Sequence, residues 1–337
     1  MNMLNRRAFL TTSLSAYLAS SIPGCPRPQN PEPPRWEHSA YRKPKQSRVA
    51  ILEAKDYESP LKGTIHKGFD LFHLDVKGKT VVLKPNLVEY DPAGVINTHP
   101  SVIAATIDAL HSRGASKIIV AEGPGHRRDN EYLLTASGLY DILKEYRVTY
   151  VDLDNDDVRP VKVNSSFTGF PWFYFPETVL QAHLIISMPK LKTHHWAGAT
   201  LAMKNFFGII PSAIYGWPKN PLHWAGISNS IVDINSALPI PQFAIVDGIV
   251  GMEGNGPIQG QAKHCGILIL GDDLVAVDAT ASRLMTLEPQ KIEYLAYAGQ
   301  FLGNIMHSRI EQIGERVESY RKDFLVVPPF EYLKTPA

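Results

Sequence analysis

A chain of 337 residues is long enough to bury one large core or two closely joined lobes, so its stability needs no covalent staples. Its 34 basic residues offset 33 acidic ones to a net charge of +1, which leaves no electrostatic footprint for nucleic acid or for an anionic membrane surface. Two cysteines, Cys25 and Cys265, build neither a disulfide framework nor a cysteine-ligated iron–sulfur cluster within one chain, so any metal would need His and carboxylate ligands.

Arg6-Arg7, followed by Phe9-Leu10 and a weakly apolar run to Ile22, resembles a bacterial twin-arginine export signal, the route for proteins that fold before crossing. The run is too short to span a bilayer. It ends at Ile22-Pro23-Gly24-Cys25, which fits a lipoprotein signal that lipidates Cys25, while the small residues Ala19-Ser20 offer a rival cleavage context; both stay open. Residues 26–46 are Pro-rich and poor in aliphatics, as expected of an extended tether. The organisation expected is a signal over 1–25, a linker over 26–46 and a domain over 47–330. The twin-arginine translocon is then a partner, the destination is the periplasm or the cell envelope, and membrane contact comes only through a lipid anchor.

Within the domain, Val49 to Ala54 and Thr80 to Leu83 read as strands. From Pro100 the positions Val102, Ile103, Thr106, Ile107 and Leu110 recur at helical spacing, with Pro100 suited to the first turn and Gly114 to the stop. Lys117 to Ala121 is the next strand, so strand, helix and strand form a βαβ unit with parallel strands. A helix over Glu131–Tyr146 follows, then strands at Val148–Leu153, Leu184–Ser187, Phe243–Val246 and Gly266–Leu270, a helix over Leu274–Met285 and a helical C-terminal stretch. The fold class is α/β, a mostly parallel central sheet flanked by helices, in one body or two closely joined lobes. Pro211 to Trp224 mixes Pro, Gly, Trp217 and Trp224 and is either a lid or a structured surface loop.

Ligands of parallel α/β sheets bind beyond the carboxyl ends of the strands. There the chain offers Lys84-Pro85-Asn86-Leu87, Glu122 to His126, Met188 to His195, and Asp247-Gly248. Lys84, Lys190, Lys192 and Lys204 lie in or beside apolar stretches, where an ammonium must find an anion or lose its proton. Either a carboxylate or phosphate ligand supplies that charge, or Asp247, Glu253, Asp273 and Asp278 neutralise the lysines inside the fold. His99 stands at a helix start, which disfavours imidazolium and suits a neutral base. His194 and His195 are adjacent, so in extended backbone only one enters a given site. The glycines of Gly251 to Gly260, with Glu253 and Asn255 between them, suit a loop that turns N–H groups toward an anion. Cys265 reads as a small core residue.

Lys84-Pro85-Asn86-Leu87, Thr98-His99-Pro100, Lys190-Leu191-Lys192-Thr193-His194, Met203-Lys204-Asn205-Phe206-Phe207-Gly208, Asp247-Gly248-Ile249 and Gly251-Met252-Glu253-Gly254-Asn255-Gly256-Pro257 resemble, in order, the signature blocks of the family called domain of unknown function 362. The resemblance spans Val49 to about Gly303 and implies no single reaction. Some relatives carry Cys-rich iron–sulfur modules, and this chain lacks the cysteines for them, so no cofactor is assigned. The resemblance favours His194 over His195. The expectation is an exported enzyme acting on a small carboxylate or phosphate, with His99, His194 and Lys192 in the chemistry, for which proton transfer of racemase or epimerase type is one fitting class. Lys84, Asn86, Lys190, Lys204, Asn205, Asp247, Glu253 and Asn255 would hold the ligand. The alternative is a non-enzymatic periplasmic or surface-anchored protein that binds an anion or metal.

Overall fold

Runs of uninterrupted Val, Ile and Leu, covered on both faces, are what a parallel sheet requires, and those runs become its centre. The computed structural model describes residues 35–124 and 129–335. The strands are β1 (Ser47–Glu53), β2 (Thr80–Pro85), β3 (Lys117–Glu122), β4 (Thr149–Asp152), β5 (Val158–Lys162), β6 (Trp172–Pro176), β7 (Leu184–Met188), β8 (Lys190–His194), β9 (Gly198–Thr200), β10 (Gln242–Asn255), β11 (Gln259–Gly271) and β12 (Ile310–Gly314). The main sheet runs β12-β1-β11-β10-β7-β2-β3-β4, with β8 branching from β10 and carrying β9; β5 and β6 pair separately. From β10 through β7, β2 and β3 to β4 every pairing is parallel, whereas β11 is antiparallel to both β10 and β1.

Alternate residues of each strand enter opposite cores, as the twofold repeat of a strand dictates. Val81, Leu83, Ile118 and Val120 pack with the helices Leu61–Leu71 and Pro100–Ser112. Val82, Ile119 and Ile185 pack with the helices Ile227–Ala237, Leu274–Leu284 and Glu293–Phe301 on the other face. Pro100 opens its helix as expected, and Gly114 at φ 74° lies just beyond its end.

Four expectations need correcting. The helix over Glu131–Tyr146 is two, Asn130–Ala136 and Leu139–Tyr146, because the chain turns at Gly138 with φ 75°. Gly251 to Gly260 is not an anion-turned loop but the far end of the β10–β11 hairpin. Its glycines let β8 pass close: a Cβ on Gly251 would lie 2.6 Å from the Leu191 carbonyl oxygen, and one on Gly256 would lie 2.0 Å from that of Thr193. The C-terminal stretch adds a strand, β12, parallel to β1. Of the two organisations left open, the described chain from Trp36 onward takes the single compact unit. The tether therefore stops short of residue 46, since Trp36 stacks on Phe301 at 4.7 Å and Lys43 donates to the Gly299 carbonyl. Arg6-Arg7, Cys25 and the linker as far as residue 34 lie outside the described residues.

Candidate functional site

The carboxyl ends of β2, β3 and β8 meet around a cavity of about 580 Å³, closed on the far side by residues 218–224. β2 delivers Lys84 and, just past its end, Asn86; β3 delivers Glu122; β8 delivers Lys192 and His194, two residues apart and so on one face. The short helix Ala202–Asn205 adds Lys204 and Asn205. Asp278, on the helix Leu274–Leu284, fixes that short helix by accepting from the Ala202 and Met203 N–H groups at 2.7 and 3.0 Å. The segment Pro211 to Trp224 folds as two short helices, Ser212–Tyr215 and Asn220–Trp224, whose later part brings Lys219 and His223 to the cavity.

The lysines meet different fates. Lys84 forms a buried ion pair with Glu122 and donates to Asn205 Oδ1 at 3.0 Å, while Glu122 also accepts from the Leu87 and Gly123 N–H groups. Burial lowers the Lys84 pKa and raises that of Glu122, and each partner opposes the other's shift. Gly208 packs so tightly on the pair that a Cβ there would lie 2.3 Å from Glu122 Oε1. Lys219 stands 3.5 Å from Asp154 and donates to the Gly123 carbonyl. Lys192 is fully buried and donates to two carbonyls, Ile96 at 2.9 Å and Pro257 at 3.2 Å. No carboxylate pairs with it among the described residues, and burial, with Lys204, Lys190 and Lys84 nearby, drives its pKa well below the usual lysine range. Half-buried Lys204 has only the Phe207 ring, 4.8 Å away, as a partner among the described residues. Burial, then Lys84 and Lys219, lower its pKa to about 8. Four lysines thus face two carboxylates, which leaves Lys192 and Lys204 as two amines without an acid partner among the described residues. Two further buried atoms of the wall, Asn86 Oδ1 and Thr200 Oγ1, have no hydrogen-bond partner among the described residues.

The histidine rings are held in opposite tautomers. His194 Nδ1 accepts from the Trp196 and Ala197 N–H groups at 3.0 and 3.2 Å. A backbone N–H only donates, so the neutral ring carries its proton on Nε2. Burial, then the charge of Lys204, pushes the His194 pKa well down. His223 Nδ1 faces the Lys219 carbonyl at 3.1 Å, an acceptor only, so here the proton is on Nδ1 and the free lone pair on Nε2. Burial lowers its pKa too. His195 also lines the cavity: β8 ends at His194 and the chain turns there, so strand alternation no longer separates the two rings, which lie 5.0 Å apart.

Several expected site residues lie elsewhere. Lys190 is neutralised by Asp247 at 2.7 Å and by a hydrogen bond to the Tyr57 hydroxyl at 2.9 Å, so both leave the candidate ligand set. His99 stacks on Tyr57 at 3.6 Å and caps its helix, Nδ1 accepting from the Ser101 N–H. Its pKa is lowered, by burial first, but it lines a smaller pocket with Tyr57 and Lys190. Glu253 pairs with Lys263 at 3.0 Å, and Asn255 bonds Gln259 in the hairpin, away from the cavity. Asp247 alone of the four acids considered as neutralisers takes one of the four lysines; Lys84 takes Glu122 instead. Among the described residues no three His, Cys, Asp or Glu side chains converge to hold a metal. Burial pushes the Cys265 thiol up to about 12, as befits a core residue.

Residues 81–283 match the family described as domain of unknown function, DUF362. A thylakoid-associated protein of Synechocystis sp. is 27% identical over 268 residues, which are 74% of this chain and 77% of that protein. Two solved structures are distantly similar. One, from Thermotoga maritima, has a TM-score of 0.45 and 16% identity over 69% of this chain and 60% of its own. The other, the lactate racemase apoprotein of Thermoanaerobacterium thermosaccharolyticum, has a TM-score of 0.41 and 14% identity over 66% and 54%. This chain thus spans less than two thirds of either structure. Since the family match runs from β2 to the helix Leu274–Leu284, over more than half of the sequence, the protein belongs to the DUF362 family.

Proposed function

We propose that this is an exported enzyme whose cavity binds a small dianion, carboxylate or phosphate, and moves a proton on it. The observation that carries the reading is that two of the cavity's four lysines, Lys192 and Lys204, have no carboxylate partner among the described residues and stand in a wall with an unpartnered Thr200 hydroxyl. Lys192 and Lys204 take the anion, and the Asn86 Nδ2 amide and the Thr200 hydroxyl donate to it. His194, a donor through Nε2, stabilises developing negative charge, and His223, with its free Nε2 lone pair, accepts the proton. His223 replaces His99, whose ring is committed to a helix cap. A single compact unit favours the enzyme over a hinged two-lobed binding protein.

Isothermal titration with malonate tests the reading, because that dianion keeps its charge between about pH 7 and 9.5. Affinity is expected to fall as pH rises through the Lys204 value of about 8, approaching about tenfold per unit. Lys204→Ala flattens the profile and weakens binding with little change in melting temperature. Wild-type affinity that is indifferent to pH, or untouched by Lys204→Ala, sinks the proposal.

Export rests on Arg6-Arg7 and the run behind it. Changing both arginines to lysine is expected to retain the chain in the cytoplasm, and mass spectrometry of the mature wild-type N-terminus decides the anchor. A diacylglyceryl adduct on Cys25 supports lipidation in the cell envelope, whereas an unmodified start elsewhere leaves a free periplasmic protein. Secretion undiminished in the double-lysine variant rules out the twin-arginine route.

A further inference from the structure

The lysines occupy only one end of the cavity's chemistry. Along its wall runs a continuous band of rings: His194 to His195 at 5.0 Å, His195 to Trp196 at 4.7 Å, Trp196 to His223 at 5.6 Å and His223 to Phe207 at 5.2 Å. The Lys204 ammonium sits 4.8 Å over the Phe207 ring, so the band begins at the anion-binding group itself. Midway along it Trp196, and beside it in the same lining Trp224, are left in solvent, 61% and 80% exposed. Large aromatic side chains left bare beside a cavity, with charged groups inside it, are the composition of a site that takes an amphipathic ligand. Size agrees, since about 580 Å³ lies within the range of pockets that hold drug-sized molecules and far exceeds a bare phosphate. Two amines without an acid partner match a phosphate monoester near neutral pH, which carries about −1.5 to −2 and draws both toward their charged forms; a monocarboxylate would serve only one of them.

Building on the proposed anion site, we infer that its ligand is a phosphate monoester with a planar aromatic body, the phosphate held by the lysines and the ring lying between Trp196 and Trp224 at the mouth. Faces of indole and ligand stack there, while water is displaced from both. The sequence pattern alone did not suggest this, because Trp196 and Trp224 lie 28 positions apart and only the folding back of residues 211–224 brings both to one cavity.

The test uses the mature full-length protein and two probes with the same headgroup, methylphosphonate and phenylphosphonate, which resist hydrolysis. Titration calorimetry is expected to give phenylphosphonate an affinity about tenfold or more above methylphosphonate, with quenching of indole fluorescence. The Trp196→Ala/Trp224→Ala double variant, and each single variant to a lesser degree, brings that ratio toward one; methylphosphonate, which reaches only the lysines, is the reference within each variant. A ratio near one in the wild type, or a ratio that survives loss of both indoles, overturns the aromatic ligand while leaving the anion site standing. No binding of either probe overturns the anion site and this inference with it.

Discussion

Lys84→Met is expected to lower the free energy of unfolding by about 3–5 kcal/mol, the usual result of stranding one member of a buried ion pair. Lys84 and Glu122 are each within 2% of complete burial on the side chain. Methionine fills the volume, so what is lost is charge: Glu122 keeps the Leu87 and Gly123 N–H donors but not its cation, and Asn205 Oδ1 loses its donor. The sign of the pH dependence follows. Burial already raises the Glu122 pKa, and a carboxyl with a raised folded value contributes stability that is present at low pH and is lost as pH rises through that value. The deficit of Lys84→Met is therefore smaller at pH 5 than at pH 8. Adding Glu122→Gln removes the stranded charge and is expected to return more than half of the loss. Urea denaturation of both variants at the two pH values checks this; a double variant no more stable than the single one would show that the pair does not act as a unit.

What the sequence made legible follows from how local each cause is. β2, β3 and β7 are readable because a fully buried strand must be continuously apolar, and the helix at Pro100 because its start and stop residues are local chemistry. Lys84, Lys192 and Lys204 stood out because a charge inside an apolar run demands an explanation. The fate of each charge was not local. Lys190 and Lys192 lie two residues apart on one strand, yet the first meets Asp247 from β10 and the second meets only carbonyls. That difference is set by register between β8 and β10, which slips between Asp247 and Met252. Similarly, the glycines of β10 and β11 looked like a loop because the sequence does not announce that β8 crosses above them. Lys219 and His223 were missed for a related reason. Their segment is written in turn residues, Gly216, Pro218 and Pro221, and the only hint of a wall was the density of Trp, His and Lys among them.

Lys192→Met should have the opposite signature to Lys84→Met: anion binding weakened by a hundredfold or so, with stability unchanged or raised. The buried Lys192 ammonium has no carboxylate among the described residues and is surrounded by other lysines, so folding must desolvate it against like charges. Its folded pKa is depressed, and such a group contributes stability that is present above the unfolded value and lost as pH falls through the folded one. In the pH range between the two values the wild-type chain therefore gains stability as pH rises. Methionine abolishes that dependence, so the variant's advantage is largest near neutrality and narrows toward about pH 10, where unfolded lysine also loses its proton. Against this stands the loss of two donors to the Ile96 and Pro257 carbonyls, about 1–3 kcal/mol for each group left unpaired, which limits the gain. An interior lysine that the fold would be better without is what the proposed anion site predicts. Denaturation at two pH values alongside malonate titration decides it: a variant that unfolds as readily as Lys84→Met would make Lys192 a structural residue, and one that still binds malonate at wild-type affinity would take it out of the site.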